Sequence, residues 1–164
     1  MPIVLHRIDE RLIHGQVVVG WGGHLHPDLI VVVDDDLAAS EWEQELYCLG
    51  LPPEISAEFA SVSDARARIP KWRISRERVF LLTRDAATMA ALGRDGLLSG
   101  QEINVGGLHH SPGRRQALPY VYLSPSEEDA LRGLAAGGAE VTARDLPSTR
   151  PVALDQLMQD GTVH

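Results

Sequence analysis

Two arginines, two acids and one histidine fall within the eight residues from Arg7 to His14, and Gly15 and Gln16 follow directly. The run comes straight after Ile3–Ile8, an apolar, β-branched stretch that reads as a strand. A helix beginning at Gly15 would aim its free backbone N–H groups and partial positive charge at His14, and such a terminus attracts anions. Arg7 and Arg11 add full charges that suit a phosphate. Gly15 lets a phosphoryl oxygen approach the backbone with no Cβ in the way. A neutral imidazole nitrogen is a competent nucleophile, and an acid beside it fixes its tautomer or screens the arginines. The constellation therefore suits a histidine that is itself phosphorylated. The bland alternative is a surface histidine among solvated ion pairs worth about 0–1 kcal/mol. Residue types alone favour that bland reading.

Other constellations are weaker. His24-Leu-His26 and His109-His110 lack the spacing of a zinc site, so no metal is expected. His6 alternates with Val4 and Ile8 and reads as facing one side of the first strand. Asp34-Asp-Asp36 ends a second strand and reads as a turn with helix-start charges, or as a ligand for a cation or ribose. Asp34 would sit beside the first loop if strands one and two are neighbours. Asn104-Val-Gly-Gly107 follows a late strand, so Gly106 and Gly107 would line the same pocket or form a plain tight turn. Gly20-Trp-Gly-Gly23 is not a dinucleotide fingerprint, and neither a phosphate-loop lysine nor a GxSxG elbow occurs. No cofactor is expected. Cys48 lies on a predicted helix and reads as packed rather than reactive.

The elements that must position these residues alternate. Ile3–Ile8 and Leu29–Asp34 are the clearest strands, followed by Ile55–Ser61, Val79–Leu82, Glu102–Gly107, Tyr120–Leu123 and, as an edge strand, Ala139–Arg144. Helices are expected over Ala38–Leu49 with Ser40 as cap, Ser63–Ile69 with Ser63 as cap, Ala86–Leu92, Ser124–Ala136 and Val152–Met158. Composition leaves Val17–Gly23, with three valines and three glycines, open between strand and helix. Alternating strands and helices mean an α/β fold: an open, mainly parallel, doubly wound sheet with helices on both faces, its last strand open to antiparallel pairing.

Size and charge narrow the partners. A chain of 164 residues is one domain, 1–164. Twenty-three acids against fifteen Lys and Arg give a net charge of −8, which disfavours nucleic acid. The purest apolar run, Leu29–Val33, is far short of the roughly 20 residues of a membrane span. The N-terminus has no secretory pattern, and the one cysteine fits a reducing compartment, so the expected location is cytoplasmic.

Arg7-Ile-Asp-Glu-Arg-Leu-Ile-His-Gly-Gln-Val17 resembles the signature of the IIB component of the mannose/fructose/sorbose family of the bacterial phosphotransferase system. The resemblance continues through Trp21, Val31–Asp36, Pro52-Pro53, Ile103–Gly107, Glu127–Asp129 and Arg144–Pro147, essentially the whole chain. It implies a protein-Nπ-phosphohistidine–sugar phosphotransferase. His14 would accept a phosphoryl group from a phosphohistidine on a IIA component and pass it to a sugar entering through membrane IIC and IID components. The resemblance places Arg7, Asp9, Arg11 and Gln16 in the phosphate pocket, with Asp34, Gly106 and Gly107 as further lining residues. It makes Val17–His24 a helix, puts the chain peripherally at the membrane through IIC and IID, and leaves a homodimer open. It also implies a free-standing IIB with no fused IIA. Glu10 stands where the family more often has Asp, and His109–Arg115 with Leu118-Pro119 diverges from it, as a partner- or substrate-facing rim. The sugar and the phosphorylated nitrogen are not specified. A regulatory phosphohistidine module without a sugar substrate is the alternative. An unrelated enzyme using His14 as general base is more distant.

Overall fold

The computed structural model describes residues 2–158. In chain order the strands are β1 (Ile3–Ile8), β2 (Leu29–Val33), β3 (Ser56–Ala60), β4 (Val79–Thr83), β5 (Glu102–Val105), β6 (Arg115–Leu118), β7 (Val121–Leu123), β8 (Glu140–Ala143) and β9 (Val152–Ala153). The helices are α1 (Gly22–Leu25), α2 (Asp35–Ala38), α3 (Glu41–Cys48), α4 (Val62–Arg73), α5 (Ala86–Leu92), α6 (Pro125–Ala136) and α7 (Leu154–Leu157). Seven strands form one sheet in the order β3-β2-β4-β1-β5-β8-β9, parallel except for β9, which runs antiparallel to β8. This is the open, doubly wound α/β sheet that the alternating pattern predicts.

The strands are apolar on both faces because both faces are covered. Ile30, Val32, Phe80 and Leu82 point to one side, where they pack with Val17, Trp21 and Leu37. Leu29, Val31, Val79 and Leu81 point to the other, against Ile69 and Trp72 of α4, Met89 and Leu92 of α5, and Leu131 and Leu134 of α6. The chain runs outward from β1 through β2 to β3, then returns to β4 and continues to β5 and β8. Right-handed crossovers put the outward connections on one face and the returning ones on the other. The connection after β1 therefore leaves to the face opposite those after its neighbours. A crevice at the carboxyl end of β1 results, the usual ligand position in such sheets.

Several expectations are corrected. The β3–α4 connection caps with Ser61, whose hydroxyl accepts the Asp64 N–H at 3.1 Å, and not with Ser63. The helix then runs past Ile69 to Arg73, with Ala65, Ile69 and Trp72 on its buried stripe. The helix expected over Ala38–Leu49 is two, because Asp34 caps an earlier start at Asp35 and the chain breaks at Ala39-Ser40. Tyr120–Leu123 supplies β7, which leaves the main sheet to pair antiparallel with β6. Ala139–Arg144 is an inner strand, since β9 covers its edge, and the stretch from Val152 opens as that strand before α7. Cys48 is exposed. Val17–His24 is helical: Gln16–Trp21 winds in the wide π form and passes directly into α1. Among the described residues no helix is long and apolar enough to cross a membrane.

His6 does face the core side of β1, is 3% exposed, and its Nε2 has no partner among the described residues. Burial, with the Arg73 charge nearby, pushes its pKa down to about 4. The unfolded chain, with an ordinary histidine, binds that proton near pH 6.5. Stability is therefore full above pH 6.5 and falls as pH drops toward 4. The His6 contribution should weaken unfolding free energy by about 2 kcal/mol between pH 7 and pH 5. Urea unfolding at the two pH values checks it: His6→Leu should remove most of that difference, and an unchanged pH slope would contradict the assignment.

Candidate functional site

The loop after β1 is held from both neighbouring strands. Asp9 N–H bonds the carbonyl of Thr83, the last residue of β4, at 2.9 Å, and Glu10 N–H bonds the Gly107 carbonyl beyond β5 at 2.9 Å. Leu12 then turns through a left-handed conformation, φ 54°, with its side chain fully buried. A leucine there is strained by about 1 kcal/mol or more, and burial of its side chain offsets the strain. Its carbonyl is thereby turned to His14 and lies 2.9 Å from Nδ1.

Beneath the loop sits the Asp9 carboxylate, which has no solvent exposure and accepts five N–H groups. One oxygen takes the Arg11 backbone N–H at 3.0 Å and Arg11 Nε at 3.2 Å. The other takes Arg7 Nη2 at 3.0 Å, Arg11 Nη2 at 3.2 Å and the Gly107 N–H at 3.1 Å. Burial alone would raise the Asp9 pKa, but the Arg11 and Arg7 bonds hold it below the ordinary carboxylate value.

Arg7 is wholly buried, and its two Nη groups are spent on fixed acceptors: Nη1 on Asn104 Oδ1 and the Arg144 carbonyl at 2.8 Å, Nη2 on Asp9 and the Asp145 carbonyl at 3.2 Å, while its Nε has no partner among the described residues. Its guanidinium also stands 5.3 Å over the Trp21 ring, whose Nε1 donates to the same Asp145 carbonyl at 2.9 Å. The charge of Arg7 thus reaches the surface through Asp9. Arg11, about one-third exposed, completes the cluster by donating to Gln16 Oε1 at 2.7 Å. Gly106 and Gly107 are the floor. A Cβ at Gly106 would lie 2.3 Å from Arg7 Nη2, and one at Gly107 would lie 2.9 Å from Arg11 Nη2. The glycine pair is therefore a steric requirement of two guanidinium groups laid on the backbone.

The His14 ring lies at the rim, 16% exposed, with Nε2 buried and 3.8 Å from Asp9 Oδ2. Its pKa is lowered chiefly by burial, which outweighs what the Leu12 carbonyl and Asp9 return, with smaller help from the Arg11 and Arg7 charges. The ring is neutral at pH 7. Because a carbonyl can only accept, the proton rests on Nδ1 and the lone pair on Nε2. The helix that follows starts at once, with Val18 N–H on the His14 carbonyl at 2.9 Å. A Cβ at Gly15 would touch nothing within 4 Å, so the approach to the first turn is bare.

Seven of the expected residues thus converge with Gly15 beside them: Arg7, Asp9, Arg11, His14, Gln16, Gly106 and Gly107. Asp34 stands apart. β4 lies between β1 and β2, so the first two strands are not neighbours, and Asp34 caps α2 on Leu37 N–H at 3.0 Å while holding Arg84 Nε at 2.7 Å. Sequence reasoning missed Asn104, Trp21, Arg144 and Asp145 as supports of Arg7. The last two act through backbone carbonyls, which no side-chain motif announces. The His109–Arg115 rim is tied to the loop. Arg114 bonds both Glu10 and Glu127, and His109 Nδ1 lies 3.1 Å from Glu10. His26 caps α1 and His110 packs edge-on against Tyr122. No group of three or more potential ligands gathers for a metal among the described residues.

Two variants separate sterics from conformation. Gly106→Ala should destabilise by about 2–3 kcal/mol, because Arg7 must leave a buried ion pair to admit the methyl group. Gly133→Ala on the open face of α6 meets nothing and should stabilise by about 0.5–1 kcal/mol. Equal effects of the two in denaturant would refute the packed floor. A ¹⁵N NMR titration of His14 should show its midpoint below 6.5, the sign set by burial; a midpoint above 6.5 would mean that Asp9 dominates.

The family described as "PTS system sorbose subfamily IIB component" matches residues 3–164. The N-acetylgalactosamine-specific phosphotransferase enzyme IIB component 2 of Escherichia coli is 31% identical over 96% of this chain and 100% of its own length. The fructose-specific EIIB component of Bacillus subtilis is 30% identical over 99% of each chain. The crystal structure of the IIB domain of the sorbose permease from Klebsiella pneumoniae superposes with a TM-score of 0.84 at 31% identity, covering 96% of each chain.

Proposed function

We propose that His14 is the phosphoryl acceptor of this chain, which belongs to the sorbose-subfamily IIB components of the sugar phosphotransferase system. Members of this family are phosphotransferases that take a phosphoryl group from a IIA component and deliver it to a sugar, in company with membrane IIC and IID components. Residues 1–164 act as one such unit, cytoplasmic and peripherally held at the membrane by IIC and IID. The relatives named for N-acetylgalactosamine and fructose support a sugar as the final acceptor.

The observation that carries the reading is the neutral His14 ring at the start of a helix, set over the Asp9–Arg7–Arg11 cluster. Phosphoryl transfer spreads charge over three equatorial oxygens with donor and acceptor in line, so a protein mostly positions and neutralises. Arg11 and the bare first turn at Gly15 do this at the surface, and Gln16 steadies Arg11. Arg7 is a positioning residue. It holds Asp9, and Asp9 holds Arg11 and faces the ring.

Transfer requires a change in the resting ring. A phosphoryl group on Nε2 would face the Asp9 carboxylate, whereas Nδ1 is held by the Leu12 carbonyl, which it leaves when the ring turns. With the proton moved to Nε2, where Asp9 attracts it, the Nδ1 lone pair attacks phosphorus. The P–N bond to the donor imidazole breaks as the new one forms. In the second step a sugar hydroxyl attacks, the P–N bond to His14 breaks, and the hydroxyl proton passes to solvent or base.

Incubation with a phosphorylated IIA donor should give an acid-labile, alkali-stable label on His14, absent in His14→Ala. A label that survives this change would overturn the assignment. Arg11→Ala should slow labelling about 10- to 100-fold, the loss of one charge-assisted phosphate contact, as read by quench-flow.

A further inference from the structure

An uncovered apolar surface begins beside the histidine loop. Of the five most exposed large apolar side chains among the described residues, four lie on one face: Val19, Trp42, Leu46 and Leu49. Three of them recur at i, i+4 and i+7 along α3 and its end, the spacing of a single helix stripe. That stripe points outward, and α3 buries none of its own residues completely. A groove of about 320 Å³ runs along it, walled by Ile13, Trp42, Leu46, Tyr47 and Gly50. Ile13 is the residue before His14. A second groove of about 670 Å³ continues past Gly50 and Leu49 to Val19. An apolar patch of this extent, contiguous with a reactive loop, marks an interaction surface.

Charge selects the occupant. Between Arg11 and Arg66 the sequence holds no Lys or Arg, and Glu41, Glu43 and Glu45 flank the stripe on α3 itself. A second copy would set acid against acid, and an anionic lipid surface would be repelled in the same way. The complement is a protein with an apolar patch rimmed by Lys and Arg. Cytoplasmic loops of membrane-spanning proteins carry that excess of basic residues. We infer that the α3 face docks this chain onto basic cytoplasmic loops of its membrane IIC and IID components, bringing His14 to the sugar exit. This rests on the phosphotransfer reading above.

The probe is inverted membrane vesicles carrying the cognate IIC and IID components, against vesicles of the same lipid without them. The wild-type chain should sediment with the first and not with the second. Trp42→Ser/Leu46→Ser and Glu41→Lys/Glu43→Lys/Glu45→Lys should each weaken binding at least tenfold and slow sugar phosphorylation at limiting protein. Labelling of His14 by the IIA donor should stay within twofold. Failure of the wild-type chain to bind, or undiminished binding by both variants, would overturn the proposal. So would equal binding to bare vesicles, which points to lipid, or loss of the IIA step, which assigns the face to the donor. A wild-type dimer that the variants dissociate in sedimentation velocity would assign the face to a second copy. If wild-type His14 takes no label, the phosphotransfer reading fails, while vesicle binding still decides the docking face.

Discussion

The molecule turns on one buried carboxylate. Asp9 has lost all its water, and its charge survives only because two guanidinium groups and two backbone N–H groups surround it. A pair of hydrophobic residues in the same place would serve stability as well or better. What the ionic arrangement adds is direction: each bond fixes a different piece of chain. Through Arg7 it fixes Asn104 on β5 and the carbonyls after β8; through Gly107, the turn after β5; through Arg11, the loop itself. Three strand ends are thus registered against each other at the crevice that the winding of the sheet creates. The bonds are mutually dependent, so loss of any one leaves a buried charge short of partners.

This explains how a half-buried histidine remains reactive. A ring in the same loop without the cluster would be a solvated base, half protonated near pH 6.5 and free to adopt any rotamer. Here burial keeps it neutral against the pull of Asp9, and the Leu12 carbonyl holds it in one orientation. The constraint is moderate by design of the backbone. Leu12 is strained, and Gln16–Trp21 is wound wide, with Gly22 N–H reaching back five residues to the Val17 carbonyl. Such turns concentrate at functional sites. A rigid, deep pocket would retain a phosphoryl group; a ring on a strained, shallow rim can give it up.

Much of this was legible in the sequence, and the residue types show why. Leu29-Ile-Val-Val-Val33 read as a strand from its unbroken apolar run, and the Arg7–Gln16 run suited an anion site, although residue types alone favoured solvated ion pairs and the family resemblance tipped the reading. Gly106 and Gly107 were legible as a turn but not as the floor under two arginines, since that role depends on side chains far away in the sequence, Arg7 and Arg11. Composition left Val17–Gly23 undecided, and tertiary burial of Val17 and Trp21 overrides the poor helix propensity of that stretch. Asp34 was misplaced because strand order is not written locally: β4 inserts between β1 and β2 only when the returning crossover is laid across the sheet. Ser63 was expected as the cap, but β3 ends at Ala60 and Ser61, the next residue, caps the helix instead. Arg144 and Asp145 contribute carbonyls, and no sequence pattern distinguishes one carbonyl from another.

The charge distribution then decides what kind of encounter the site permits. Apart from Arg7 and Arg11, every Lys and Arg lies from Arg66 onward, and α3 carries Glu41, Glu43 and Glu45 with no basic residue of its own. Asp9 cancels one of the two loop arginines, which leaves about one net positive charge at the reacting nitrogen against a chain total of −8. At physiological ionic strength fields fade over about 8 Å. A free phosphate or nucleotide therefore meets little long-range attraction, and the local positive charge is felt only within a few ångströms of the ring. Only an anion delivered by a docked partner is held there long enough to react. Selectivity in such a carrier lies in the surfaces that bring donor and acceptor to His14, and the pocket itself needs no memory of which partner it serves.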